Sequence, residues 1–165
     1  MTGQANFRGW GALIVAVLIF LLDEASKERI ITSFRLGESV PLADFLNVGY
    51  WLNPGAAFSL LSEAGGWQRY FFSAIALGAV VWLCWALLFN KRLNASTRAA
   101  FALIAGGAAG NLYDRITRGA VVDWIDLHWG GWHWPAFNLA DCGIVVGAIL
   151  LILGTFGAHP HSSKP

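Results

Sequence analysis

Charge is scarce in this chain: 13% of its 165 residues are Asp, Glu, Lys or Arg, against a hydrophobic share of 56% and a mean hydropathy of +0.55. That balance excludes an ordinary soluble domain, where about a quarter of residues are charged. A net charge of +1 gives no electrostatic footprint for nucleic acid, so no nucleic-acid partner is expected. Cysteine is nearly absent. Cys84 and Cys142 both lie inside apolar stretches, where two isolated thiols read as buried apolar groups and not as a disulfide or metal site. Two hydrolytic signatures are also missing, the His-Glu-x-x-His of zinc proteases and the Gly-x-Ser-x-Gly nucleophile elbow. Ser26 and Lys27 are adjacent, so on a helix they do not face one another. Nothing here calls for a metal or a cofactor.

What the chain has instead is long apolar runs. A bilayer-spanning helix needs about 20 largely apolar residues, and residues 9–26, 67–89, 97–113 and 137–156 approach that. They predict an all-α membrane protein in a single domain over residues 1–165. Ala12 to Leu22 does not read as a cleavable signal, because Arg8 is its lone flanking cation and no small-x-small site follows. Lys91, Arg92 and Arg98 crowd the short loop between the second and third runs, which places that loop and both termini in the cytoplasm. On this topology all ten acidic residues lie on the outer side.

Along the chain, Asp23 and Lys27 are four apart at the outer end of the first run and share a helix face. They read either as an interfacial ion pair or as a prop for a site on that side. From Gly37 to Leu61 helical periodicity gives way to alternation, with Leu46, Val48, Tyr50 and Leu52 on one face, so a small outer β element is predicted. It ends in the Pro-Gly turn of Asn53-Pro54-Gly55, and Phe58 to Leu61 reads as amphipathic material for the headgroup plane. Gly106 and Gly110 form a small-xxx-small pair that lets another helix, or an extended substrate backbone, come close. Gly107, Asn111 and Asp114 fall on one face of the same helix, with Arg115 within reach of Asp114 or of lipid phosphate.

The segment from Gly106 to Asp141 holds four of the ten acids, and such groups at membrane depth mark a functional site by default. Ala120 to Asp126 reads as a short strand on which Asp123 and Asp126 point to opposite faces. Asp123, behind two valines, is expected to be buried and Asp126 exposed. Six of the nine tryptophans fall on the proposed outer side, as at a lipid interface. Asn138 and Asp141 have the spacing of a capping box opening the fourth helix. His159 and His161 in the polar tail read as solvated.

Two aspartates brought together in a low-dielectric setting cannot easily both ionise, so the pair offers a general base and a general acid at once. Two other classes stay open. A proton-coupled transporter also buries carboxylates, though near the midplane and with repeats. A noncatalytic scaffold predicts that carboxylate changes damage folding alone. A presenilin-type protease is disfavoured because Gly-x-Gly-Asp is missing.

Five ordered motifs sharpen the choice: Asp23 with Ser26-Lys27; Asn53-Pro54-Gly55-Ala56-Ala57-Phe58; Gly106 to Arg115; Val122-Asp123-Trp124; and Phe137-Asn138-Leu139-Ala140-Asp141. On them, over nearly the whole chain, the sequence resembles the lipoprotein signal peptidases, the signal peptidase II family of bacterial inner-membrane aspartic proteases. Trp124, where that family often has Phe, and Cys142, where it often has Ser, are conservative departures. The resemblance implies a catalytic dyad of Asp123 and Asp141. It implies that Asn53, Gly55, Asn111, Asp114, Arg115 and Asn138 line or support the substrate site, with Asp23 and Lys27 beside it. The implied reaction is hydrolysis of diacylglyceryl-modified prolipoproteins on the N-terminal side of the lipidated cysteine, at the outer face of the inner membrane. Membrane lipids are implied as surroundings, and globomycin-like cyclic peptides as inhibitors. Helix-terminal Asp141 is expected to be the deprotonated partner and Asp123 the protonated one.

Overall fold

The computed structural model describes residues 7–55 and 66–156. Four helices and four strands follow in the order α1 (Phe7–Ser33), β1 (Ser39–Ala43), β2 (Leu46–Asn53), α2 (Trp67–Phe89), α3 (Ala95–Thr117), β3 (Val121–Trp129), β4 (Trp132–His133) and α4 (Leu139–Phe156). The expected amphipathic stretch from Phe58 to Leu61, and His159 and His161, lie outside the described residues.

Helices α1, α2 and α4 are long and apolar enough to cross a membrane. Their outward faces are apolar: Ile14, Leu18, Leu22, Trp82, Ile149 and Leu153 are all more than half exposed or nearly so. An inside-out pattern of this kind suits lipid and not water. The span expected over residues 97–113 falls within α3, which is not one of these three, since Arg98, Asn111, Asp114 and Arg115 lower its hydropathy. Position explains its composition. α3 packs against α1, α2 and α4 together, so most of its surface meets protein. The first run also continues past its expected end, because α1 carries on to Ser33. The fourth helix begins at Leu139, leaving Phe137 and Asn138 ahead of it as an entry cap.

Small residues on α3 let its neighbours close in. A Cβ on Gly106 would lie 2.5 Å from the Ala16 carbonyl oxygen of α1, and one on Gly107 would strike the Ala140 carbonyl of α4. The Gly106 approach is one that the Gly106/Gly110 pairing predicts, and at Gly110 an added Cβ would meet the Asp23 carboxylate of α1. Adjoining these contacts, Ala12 and Ala16 of α1, Leu83 and Leu87 of α2, and Phe101 and Ala105 of α3 form an apolar core. The short α2–α3 turn is pinned by Arg98, whose Nε donates to the Leu93 carbonyl (3.1 Å) and whose Nη2 donates to Asn90 O (3.4 Å).

The strands form one antiparallel sheet in the order β1-β2-β3-β4. β2 covers the predicted alternating stretch, but its register against β3 shifts between Val48 and Trp51. The bulge breaks the strict alternation read from Leu46 to Leu52, because the extra residue turns the following side chains over.

Candidate active site

α3 delivers the chain to β3 through one left-handed glycine. Gly119 (φ 87°) closes the helix end with its N–H on the Asp114 carbonyl at 3.1 Å. The turn brings Val122 back onto the Asp114 side chain, where the Val122 N–H donates to Oδ2 at 3.0 Å. β3 therefore starts against α3 with Val121 and Val122 buried, and Asp123 follows at 3% exposure. The expected burial of Asp123 holds.

Both oxygens of Asp123 accept amide donors: Asn138 Nδ2 at Oδ1 (2.8 Å) and Asn53 Nδ2 at Oδ2 (3.1 Å). Asn53 is itself oriented, because its Oδ1 accepts the Gly55 N–H at 3.0 Å. Asn138 also opens α4. Its Oδ1 accepts the Asp141 N–H (3.0 Å) while Asp141 Oδ2 accepts the Asn138 N–H (3.3 Å), the reciprocal box that the spacing predicts. One side chain thus touches both aspartates. Asp141 Oδ1 accepts a further donor, Asn111 Nδ2, at 2.8 Å.

Behind these groups lies a buried charge cluster. Lys27, fully buried, places Nζ 2.6 Å from Asp23 Oδ2 and 2.7 Å from Asp114 Oδ2, and donates to Asn111 Oδ1 at 3.3 Å. Asp23 Oδ1 in turn accepts the Ala140 N–H of α4 at 2.9 Å. The pair read as an interfacial ion pair at a helix end is enclosed by protein, with both side chains fully buried. Arg118 joins the cluster through Asp114, Glu24 and Glu28.

Arg115 is buried inside the protein, and among the described residues no ion pair joins it to Asp114. Its Nη2 donates to Gly55 O at 2.8 Å and its Nη1 to Asn111 O at 3.2 Å, so it holds the end of β2 against α3. The expected contact with Asp114 is not among these.

Asp123 and Asp141 both line a cavity of about 610 Å³, bounded by Phe72 and Ile75 of α2, Asn111 and Arg115 of α3, and Cys142 of α4. Burial first, and the Asp141 carboxylate second, push Asp123 up to about 7 from its ordinary 3.8, against the pull of the Asn53 and Asn138 donors.

Asp126 corrects an expectation. It is 7% exposed, accepts Asn47 Nδ2 at 2.8 Å and lies 2.9 Å from His133 Nδ1, so it ties β2 and β4 to β3. The alternation argument put Asp126 opposite Asp123 correctly, but that second face is covered by neighbouring strands and not by water. Burial alone would raise Asp126; the Asn47 and His133 contacts outweigh it and hold the carboxyl below its ordinary value. Cys84 and Cys142 are free thiols. Among the described residues no group of three or more His, Cys, Asp or Glu side chains could hold a metal ion.

The family model for signal peptidase (SPase) II matches residues 15–157. The chain belongs to the signal peptidase II family. It is 49% identical to a lipoprotein signal peptidase of Klebsiella pneumoniae strain 342, over 94% of this chain and 92% of that protein. It is 44% identical to a lipoprotein signal peptidase of Polynucleobacter necessarius, over 91% and 94%. A bacterial membrane enzyme solved in meso at 2.3 Å superposes with a TM-score of 0.83 at 30% identity, covering 100% of this chain and 98% of that one.

In this signal peptidase II chain three partners of acidic residues escaped sequence reasoning, one beside the site and two at Asp126, away from the cavity. Arg118 was detectable as a cation four residues after Asp114 on the same helix. Asn47 and His133 had no such mark, because their partner Asp126 is distant in sequence from Asn47 and meets it only through strand pairing.

Proposed function

We propose that the chain is an aspartic endopeptidase that hydrolyses diacylglyceryl-modified prolipoproteins on the N-terminal side of the lipidated cysteine, with Asp123 and Asp141 as its catalytic residues. As a member of its family it removes signal peptides from prolipoproteins. The single observation that carries the dyad is that these two carboxyls line one cavity and both accept donors of Asn138, Asp123 its side-chain amide and Asp141 its backbone N–H.

Asp141 is the base and Asp123 the acid. The Asp141 carboxylate accepts a proton from water as the water oxygen bonds to the scissile carbonyl carbon, and Asp123 gives its proton to the departing amine nitrogen. Proton exchange then restores the starting arrangement. An Asp123 carboxyl near 7 still holds much of its proton at neutral pH, which supports this order. The two titrate as one coupled unit.

In this reading α3 is the fourth crossing, both termini face the cytoplasm, and the site lies toward the outer side of the bacterial inner membrane. The apolar cavity walls from α2 and α4 then admit a substrate held by its own signal helix and acyl chains. Globomycin-like cyclic peptides compete for the same cavity. Incubating purified protein with a lipidated precursor tests all of this: the mature lipoprotein is expected on a gel, unaffected by chelators or by serine- and cysteine-directed reagents. Activity lost in EDTA and restored by zinc refutes the mechanism.

A further inference from the structure

We propose that Lys27 is a positioning residue for Asp141, acting through the side-chain amide of Asn111. The proposal rests on the dyad reading above and adds to it the group that fixes one member's hydrogen-bond donor.

An ammonium group has three donors and no acceptor. Whatever atom of Asn111 faces Lys27 Nζ, at 3.3 Å, is therefore the amide oxygen. The same oxygen accepts Asn138 Nδ2 at 3.2 Å, so two donors fix it, one from α1 and one from the entry to α4. The Asn111 NH2 has then to point the other way, and it meets Asp141 Oδ1 at 2.8 Å. Without Lys27 the amide loses one of the two groups that forbid a flip. A flipped Asn111 would present its oxygen to Asp141, which suits a protonated carboxyl and not a carboxylate.

Lys27 itself has no such freedom. It is fully buried, and Asp23 at 2.6 Å and Asp114 at 2.7 Å hold its ammonium group in place. Those two carboxylates are anchored in turn to the elements that carry the dyad, Asp23 on the Ala140 N–H of α4 and Asp114 on the Val122 N–H of β3. One cation thereby registers three elements and also sets the amide between them. The structure thus offers a physical reason for a lysine where packing alone would place a leucine: the negative charge of the pair is kept on Asp141, the member that takes the proton from water.

Removing Lys27 alone strands two buried carboxylates, so the test is run in an Asp23→Asn background. There a neutral residue at 27 leaves Asp114 paired with Arg118, and the amide oxygen that Asp23→Asn introduces can still accept the Ala140 N–H. Lys27→Met and Lys27→Gln are compared, with folding checked by thermal unfolding in detergent. Met removes the donor, and Gln retains an N–H without the charge. The expected result for Met is a kcat lower by about tenfold at nearly unchanged KM, a modest coupling, with a displaced pH profile. Gln is expected to recover most of both. Infrared difference spectra give a second readout: the protonated-carboxyl band removed by Asp123→Asn in the parent is expected to be removed by Asp141→Asn in the Met variant. Identical kcat and pH profiles for Met and Gln overturn the proposal, as does a band that stays on Asp123. If the Met variant does not fold, Asn111→Leu in the Lys27 protein takes its place, and an unchanged pH profile there overturns the proposal equally. Failure of the dyad reading is separate, since it shows as cleavage by Asp123→Asn or Asp141→Asn.

Discussion

Asp23 Oδ1 accepts the backbone N–H of Ala140 at 2.9 Å, a contact between residues 117 apart in the chain. The first turn of α4 is therefore capped from α1 as well as by Asn138, and Asp141 is held from two directions. Because Gly110 lies against this contact, where an added Cβ would strike Asp23 Oδ2, we expect Gly110→Ala to push Asp23 off its partners. Overpacking of that kind costs about 1 to 3 kcal/mol, so thermal unfolding and cleavage are both expected to suffer. A Gly110→Ala protein with unchanged stability and rate contradicts this packing.

Asp123→Asn and Asp141→Asn are each expected to abolish measurable cleavage while leaving a folded, membrane-inserted protein, since Asn is nearly isosteric. Loss of a general acid or base costs about 10²- to 10⁴-fold. Gel assays of precursor processing, beside unfolding curves, separate chemistry from folding. Substantial turnover by either variant sinks the dyad.

The raised Asp123 carboxyl sets a pH dependence. Protonated Asp123 is the acid, so kcat/KM is expected to fall as pH rises through about 7. For stability the sign follows the same proton. Between the ordinary 3.8 and about 7 the folded state holds a proton that the unfolded state has lost, so this group's contribution declines as pH rises across that window and levels off above it. Asp141→Asn removes the second cause of the rise and is expected to shift the Asp123 titration downward, measurable by infrared titration.

A solvent-exposed Asp126 would make Asp126→Asn neutral for stability as well as for cleavage, and its burial changes the first of these. Catalysis per folded molecule is retained, because Asp126 lies away from the cavity, but the ties to Asn47 and His133 weaken. Hydrogen bonds to a charged group contribute about 1.5 to 3 kcal/mol, and a loss of that order is expected in unfolding experiments. The depressed Asp126 carboxyl stabilises the fold above its ordinary value and loses that contribution as pH falls through its lowered one. The variant is expected to lack this acid-side decline.

The reach of the sequence differs between elements for physical reasons. α2 was readable to the residue because, beyond Gln68, Arg69 and Ser73 near its start, it is apolar up to Asn90-Lys91-Arg92, whereas the end of α1 was not: its last turns are charged, and hydropathy cannot tell a helix leaving lipid from a helix that has stopped. The Asn138–Asp141 box and the glycine contacts of α3 depend on local spacing, which a sequence shows directly. Asp126 was misplaced because burial on a strand is decided by what lies across the sheet. Arg115 was given the wrong partner for a similar reason, since Gly55 reaches it only through the folded path of β2.

The length of α1 gives the site an address. At a rise of about 1.5 Å per residue, Asp23 stands roughly 24 Å and Lys27 roughly 30 Å along the helix from Phe7, and the hydrocarbon layer is about 30 Å thick. In the proposed topology α1 acts as a ruler whose far mark carries the charge cluster beside the proposed dyad. On that reading the depth at which a peptide bond is cut becomes a matter of counting residues. Four residues added to the lower half of α1 would lift that mark by about 6 Å, and a substrate tethered by its own lipid would no longer meet it.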